Sequence, residues 1–357
     1  MTEPSSPQTR RHGALFMLTL TRLKEYSREP STFFWSIIFP VLITLALGSA
    51  FKRQGQPELH VGVLEGPGAA ELVQTLESHP LLTAQAFPEA EARLRLQSGR
   101  VALLVIPPTT PDGKITYRFD PSRPEAPAAR AFADDALQRA QGRTDVRAVV
   151  DDQISTPGAR YVDWLIPGLL GMNVMSGCMW GITWVIALAR HRRLLKRFVA
   201  TPMNHGAYLL SLLFARVLFV LCVDLPLMLG FGHLVLGMPI LGSLASVVLV
   251  TVLGIFAFSG VAFLCGSRVR STETGVGVIN LVVIPMFALS GIFFSSSRFP
   301  EAVQPVIRAL PLTALNDCLR AVINDGESLS AIAPRLAVLG AWAVICFLLS
   351  LRLFRWT

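Results

Sequence analysis

Residues 164–189 read WLIPGLLGMNVMSGCMWGITWVIALA without a charged side chain, and the next eight positions, 190–197, read RHRRLLKR. About 20 helical residues cross the hydrocarbon core of a bilayer, so the first stretch is expected to span a membrane. Lys and Arg are translocated with difficulty, which puts the end of that span, at Arg190, in the cytoplasm.

Outward from this pair, five more runs have the same character. Phe33–Phe51 (FFWSIIFPVLITLALGSAF) precedes it. Ala207–His233, interrupted by Arg216, Asp224 and the terminal His233, follows it, and then come Leu241–Gly266, Thr274–Phe294 and about Ala333–Leu351. The composition agrees: 52% of the 357 residues are hydrophobic and 16% charged, more apolar surface than a soluble fold of this size buries. The run at Phe33 follows a basic, proline-containing leader with no small-residue cleavage pattern, which reads as a retained signal anchor.

The expected fold class is therefore a polytopic α-helical membrane protein with six transmembrane helices. Arg10, Arg11, Arg22, Lys24 and Arg28 precede the first span, Arg190, Arg192, Arg193, Lys196 and Arg197 follow the second, Arg268 and Arg270 the fourth, and Arg352 and Arg355 the sixth. With six spans all four clusters fall on one side, which places both termini in the cytoplasm of a multi-pass protein of the cell (inner) membrane. The net charge of +8 is assigned to these flanks, and no nucleic-acid partner is expected.

Between the first two spans, Lys52 to Arg160 carries 13 basic and 14 acidic residues, nearly neutral, and is placed outside. It reads as a small α/β domain. Strands are expected at His60–Leu64 (HVGVL), Val101–Ile106 (VALLVI) and Ile115–Phe119 (ITYRF), with helices at Ala69–Glu77 and Glu89–Ser98. A long charged helix is expected from about Ala126 to Asp152. The organisation is then a leader (1–32) with an amphipathic interface helix near Leu15–Tyr26, a first span (33–51), an inserted extracytoplasmic α/β domain (52–160) and a five-helix domain (161–357). The last includes a cytoplasmic loop at 190–205 and an outer segment at 295–325.

Few residues carry chemistry. The five cysteines stand singly and read as small buried hydrophobes, and the six histidines are dispersed. There is no G-x-x-x-x-G-K-[ST], HExxH or GxSxG, so catalytic, metal and cofactor sites are not expected in this chain. Arg216 and Asp224 stand within a span, where a bare charge costs on the order of 3 kcal/mol. Eight residues apart on a regular helix, they differ in direction by about 80° and need not meet. Pro300, Pro305 and Pro311 punctuate a segment too polar to cross and too apolar for a free loop, which predicts short re-entrant helices in which Asp317 and Arg320 can pair.

Three stretches in order, YVDWLIPGLLG (Tyr161–Gly171), RRLLKRFVATPM (ending at Met203) and LSGIFFSSSRFPEAVQPVIRALPLTALNDCLRAVINDG (Leu289–Gly326), together resemble ABC-2 type permeases. The resemblance implies an exporter: a second permease copy, homo- or heterodimeric, and a cytoplasmic ABC ATPase subunit that holds the ATP and Mg, moving a drug, lipid or glycan-like substrate outward. It implies that Arg193, Leu194, Leu195, Arg197, Phe198, Thr201 and Pro202 form a coupling helix whose apolar face seats on the ATPase. The plainer reading is positive-inside charge with interfacial Leu and Phe. Many family members carry Glu and Gly where this loop has Arg192 and Arg193. Arg216 and Asp224 would line the dimer interface or translocation path, or pair structurally with neighbouring helices. Pro311, Asp317 and Arg320 would shape an outer gate. The rivals are a membrane-anchored ligand sensor or scaffold and an ion-driven secondary transporter; the latter normally shows repeat-related halves, absent from a one-plus-five arrangement.

Overall fold

The structure is a computed structural model and describes residues 7–52, 59–108, 114–144, 160–199 and 205–354. Two compact units result, one of residues 52–153 and one of the remaining chain.

Helix α1 (Pro7–Arg28) ends where Glu29 turns to extended backbone before Pro30. Helix α2 (30–52) runs from that proline through a π turn, Phe34–Ile38, to Lys52.

In the smaller unit, β1 (Leu59–Leu64), α3 (Ala69–Glu77), β2 (Leu82–Phe87), α4 (Glu89–Gln97), β3 (Leu103–Ile106), β4 (Thr116–Arg118) and α5 (Ala126–Ala140) follow in turn. The sheet order is β2-β1-β3-β4, with β1 parallel to both neighbours and β4 antiparallel to β3. One core joins Val61, Val63, Leu103 and Val105 to Leu76 of α3 and to Ala129, Ala133 and Leu137 of α5; a second joins Leu104 and Phe87 to Ala92 of α4. Helices on both faces explain why β1 and β3 are apolar without alternation. β2 (LTAQAF) lacks that signature, and sequence reading passes over it. The Tyr117 hydroxyl donates to Asp134 (3.1 Å); burial and that carboxylate push its pKa up to about 12, so this tie between β4 and α5 is a neutral phenol. Helix α5 stops at Ala140 rather than near Asp152, because Gly142 takes a left-handed conformation (φ 91°) that closes it. Residues 145–152 of the expected helix lie outside the described residues.

In the larger unit follow α6 (Tyr161–His191), α7 (Leu194–Val199), α8 (Gly206–Val235), α9 (Leu244–Gly266), α10 (Thr272–Leu289), α11 (Gln304–Ala309), α12 (Pro311–Ile323) and α13 (Ala333–Leu353). Five of these, α6, α8, α9, α10 and α13, are long and apolar enough to cross a membrane; the apolar part of α2, Phe34–Ser49, is shorter. Helix α10 ends at Leu289, short of the expected Phe294, because Gly291 turns left-handed (φ 67°). The most extensive packing is α9 against α13, and α9 also packs on α6 and α12.

Helix α12 is enclosed: of its 13 residues only Asp317 is not buried. Cys178, Cys318 and Cys346 are buried as expected of small hydrophobes, whereas Cys222 is exposed on α8.

Candidate functional site

The charged residues inside the bundle are seated by glycines. Helix α6 carries Gly168, Gly171, Gly177 and Gly181, and a Cβ at each would run into a polar side chain from elsewhere: Arg320, Asn316, Arg216 and Tyr26 respectively. Close approach of a second element to a helix needs this absence of side chain.

Arg216 and Asp224 do meet, contrary to the expectation from regular helix geometry. Arg216 Nη2 lies 3.2 Å from Asp224 Oδ2 and donates to the Asn173 carbonyl at 3.1 Å, with both side chains buried. The reason is the π turn Val220–Asp224 inside α8. A π turn accommodates one extra residue, so eight residues span the angle of seven and the two side chains return to one face. Arg216 Nε and Asp224 Oδ1 are buried without a hydrogen-bond partner among the described residues. Two unmet polar atoms on one ion pair in a bundle core are costly, which marks this as a strained polar centre. A second π turn, Met179–Trp184, begins two residues beyond Gly177. Around the pair stand Phe219, whose ring lies 5.3 Å from the Arg216 guanidinium, and Tyr26 of α1, whose ring lies 5.4 Å from Phe219. Sequence reading gave Tyr26 and Gly177 no role. Their signal, an aromatic at the end of an amphipathic helix and a glycine in a span, is too common to single them out.

Arg320 forms the second centre. Its guanidinium sits 3.5 Å from the centroid of the Trp164 ring and donates to the carbonyls of Trp164 (3.2 Å) and Gly291 (2.7 Å). The expected partner Asp317 is farther, at 3.8 Å. Arg320 is therefore held by backbone carbonyls and an aromatic face, and the pair with Asp317 is secondary. Asn316 donates to Ser290 O (3.2 Å) and Asn324 to Asp163 O (2.8 Å), so one face of α12 and its end ties α6 to the turn after α10. Asp163 is held by Arg160, which also donates to Leu236 O and Gly237 O. Pro311 opens α12 at its first turn, where a missing N–H costs nothing.

At the other end of α6 the basic loop divides into two kinds of residue. Arg190 donates to the carbonyls of Gly266, Ser267 and Val269, capping the end of α9. Arg193 takes a left-handed conformation (φ 56°) and starts the six-residue α7. Leu195 is buried in the chain's own core and Leu194 packs against it, whereas Arg192, Arg193 and Arg197 are exposed. The apolar face expected to seat on a partner is thus partly spent on the permease itself, because α7 folds back on the bundle. Phe198 lies in α7, and Thr201 and Pro202 lie outside the described residues. Helix α1 packs along α8, with Arg22 over the Tyr208 ring at 5.7 Å, and leaves Phe16, Met17 and Leu20 exposed.

Apolar helices of spanning length closed around buried charges define a multi-pass helical membrane protein. Residues 30–352 match the ABC-2 family transporter proteins, and the chain belongs to that family. It is similar to the inner membrane transport permease YhhJ of Escherichia coli K12, 28% identical over 123 residues, which are 34% of this chain and 33% of that protein. It is also similar to nodulation protein J of Rhizobium meliloti, 33% identical over 99 residues, 28% of this chain and 37% of that one. The matched region thus spans about a third of the length of each relative. Family membership makes the chain a membrane component of a transporter.

Proposed function

We propose that this chain is the permease subunit of an exporter, pairs with a second permease copy and binds a separate ATPase through the loop 190–205. The observation that carries the ATPase contact is the exposed basic surface of Arg192, Arg193 and Arg197, at the end of the longest span of the bundle. Because Leu195 faces inward, the contact is electrostatic first, and it takes an acidic groove on the ATPase.

The six-span topology is part of this reading. Helix α2 covers residues 30–52, and at about 1.5 Å per residue it rises roughly 34 Å, enough for a core of about 30 Å. With α2 crossing, the four basic clusters lie on one side, the termini are cytoplasmic and the α/β unit is outside the inner membrane. Arg216 and Asp224 serve the path or dimer interface, and the two unmet atoms are where substrate or a rearranged helix would complete the hydrogen bonding. Pro311, Asp317 and Arg320 belong to an outer gate built around α12.

Co-purification in mild detergent, with mass identification of subunits and an ATPase assay, tests the proposal. A stoichiometric ATPase that is lost from Arg193→Glu/Arg197→Glu while the permease still elutes as one species supports it. A permease with no ATPase bound, under conditions that preserve other such complexes, overturns it and favours a sensor or ion-driven transporter.

A further inference from the structure

We propose that a groove between α11 and α13 is a binding site for an anionic phospholipid of the outer leaflet, its phosphate held between Arg308 and Arg335 and one acyl chain lying along α13. The leaflet rests on the topology proposed above; the site itself does not.

The groove is lined by Ala309, Val338, Ala341, Trp342 and Ile345, with a volume of about 310 Å³. Its lining side chains are all apolar apart from the Trp342 indole N–H, and that donates to the Ala309 carbonyl at 2.8 Å, which pins α11 against α13 and turns the ring's apolar surface to the groove. Val338, Ala341, Trp342 and Ile345 recur at helical spacing on α13, with Ala341 and Ile345 exposed and Val338 and Trp342 half-buried.

Charge sits at one end only. Arg335 lies one turn before Val338 on α13, and Arg308 adjoins Ala309; both are exposed. Among the described residues neither has a carboxylate within 4 Å, and both lie within electrostatic reach of the Asp317 carboxylate, each on a helix that borders the groove. Asp317 already has Arg320 at 3.8 Å, and with Glu327 also in reach of this cluster, Arg308, Arg320 and Arg335 still outnumber the two carboxylates at the mouth of an apolar trough.

Length fits one leaflet. From Arg335 to Ile345 is ten residues, about 15 Å of helix, half of a hydrocarbon core of about 30 Å. A site with cations at the interface and an apolar channel ending near the midplane matches a phospholipid in both chemistry and extent. A purely apolar helix from another subunit would cover the apolar face and leave the two arginines unmatched.

The full-length protein, purified in mild detergent with whatever subunits accompany it and reconstituted into nanodiscs of phosphatidylcholine with or without phosphatidylglycerol, is examined by native mass spectrometry for retained lipid. The wild type retains phosphatidylglycerol preferentially. Arg308→Gln/Arg335→Gln lowers that retention about thirtyfold, as expected for two arginines at a membrane surface. Ala341→Trp, which fills the trough, lowers retention of both lipids with the arginines intact. Equal retention of the two lipids by wild type, or unchanged retention in the double variant, overturns the site. So does dissociation of subunits by Ala341→Trp without lipid loss, which would make the groove a protein interface. Labelling of Arg335→Cys in sealed vesicles by an impermeant maleimide reads the leaflet separately. Lipid retention with labelling from the cytoplasmic side keeps the site and discards the proposed topology.

Discussion

With the Arg216 guanidinium gone, Asp224 is left as a buried carboxylate with no cation, so Arg216→Ala is expected to destabilise the bundle by roughly 3–5 kcal/mol. Replacing both partners by apolar residues of similar size, Arg216→Met/Asp224→Leu, should recover most of that loss. Thermal unfolding in detergent reads the first effect, and transport by the double variant separates the roles: stability regained with transport lost makes the pair functional, and both regained makes it structural. Gly177 belongs to the same centre, because its missing side chain is the seat of Arg216. Gly177→Ala should therefore lower stability strongly in the wild type and much less beside Arg216→Ala, with a coupling of about 1 kcal/mol or more. Strictly additive effects would show that Arg216 does not occupy that seat.

The π turn Val220–Asp224 of α8 is the element that makes this pair. Deleting the exposed Cys222 within it should give a regular helix in which the aspartate follows Arg216 by seven residues, about 20° off the same face, so the pair should survive with a loss well short of that seen with Arg216→Ala. Cys222→Ser, which keeps the turn, should be near neutral as well; a deletion as damaging as Arg216→Ala would refute the phase argument. In the basic loop, Leu195→Ala is expected to destabilise the permease itself by about 2–5 kcal/mol, as a core truncation. Arg193→Glu/Arg197→Glu should leave stability within about 0.5 kcal/mol and act on ATPase binding alone. The helix was legible in the sequence from its spacing of Leu, Phe and Arg, but which face turns inward was not, since an amphipathic helix looks alike whether its apolar side meets its own bundle or a partner.

For the whole molecule the open geometry is sidedness. Single cysteines at Ser98 in the α/β unit and at Arg197 in the basic loop, in a background lacking the exposed Cys222, should react with an impermeant maleimide from opposite sides of right-side-out vesicles. Ser98→Cys should label without permeabilisation and Arg197→Cys only after it. Labelling of both from one side would mean that α6, the span between them, does not cross; a further cysteine at Ser27, in the leader, that labels from the same side as Ser98→Cys would mean that α2 does not cross and that the span count is five.

Hydropathy and charge order are properties of single stretches, and they were enough to mark the five long spans, the apolar run that became α2, the basic clusters and the family. The strands β1 and β3 were legible for the same reason, since two-sided burial leaves a local apolar run; edge strand β4 was legible from its β-branched and aromatic residues, whereas edge strand β2, half polar, offered neither signal. The union of Arg216 with Asp224, the carbonyl cradle of Arg320 and the inward turn of Leu195 were decided only by the tertiary structure. Each depends on the phase of a helix after a π turn, or on a glycine of one helix facing a side chain of another. Such relations join residues up to about 150 positions apart through packing, which no local window of sequence contains.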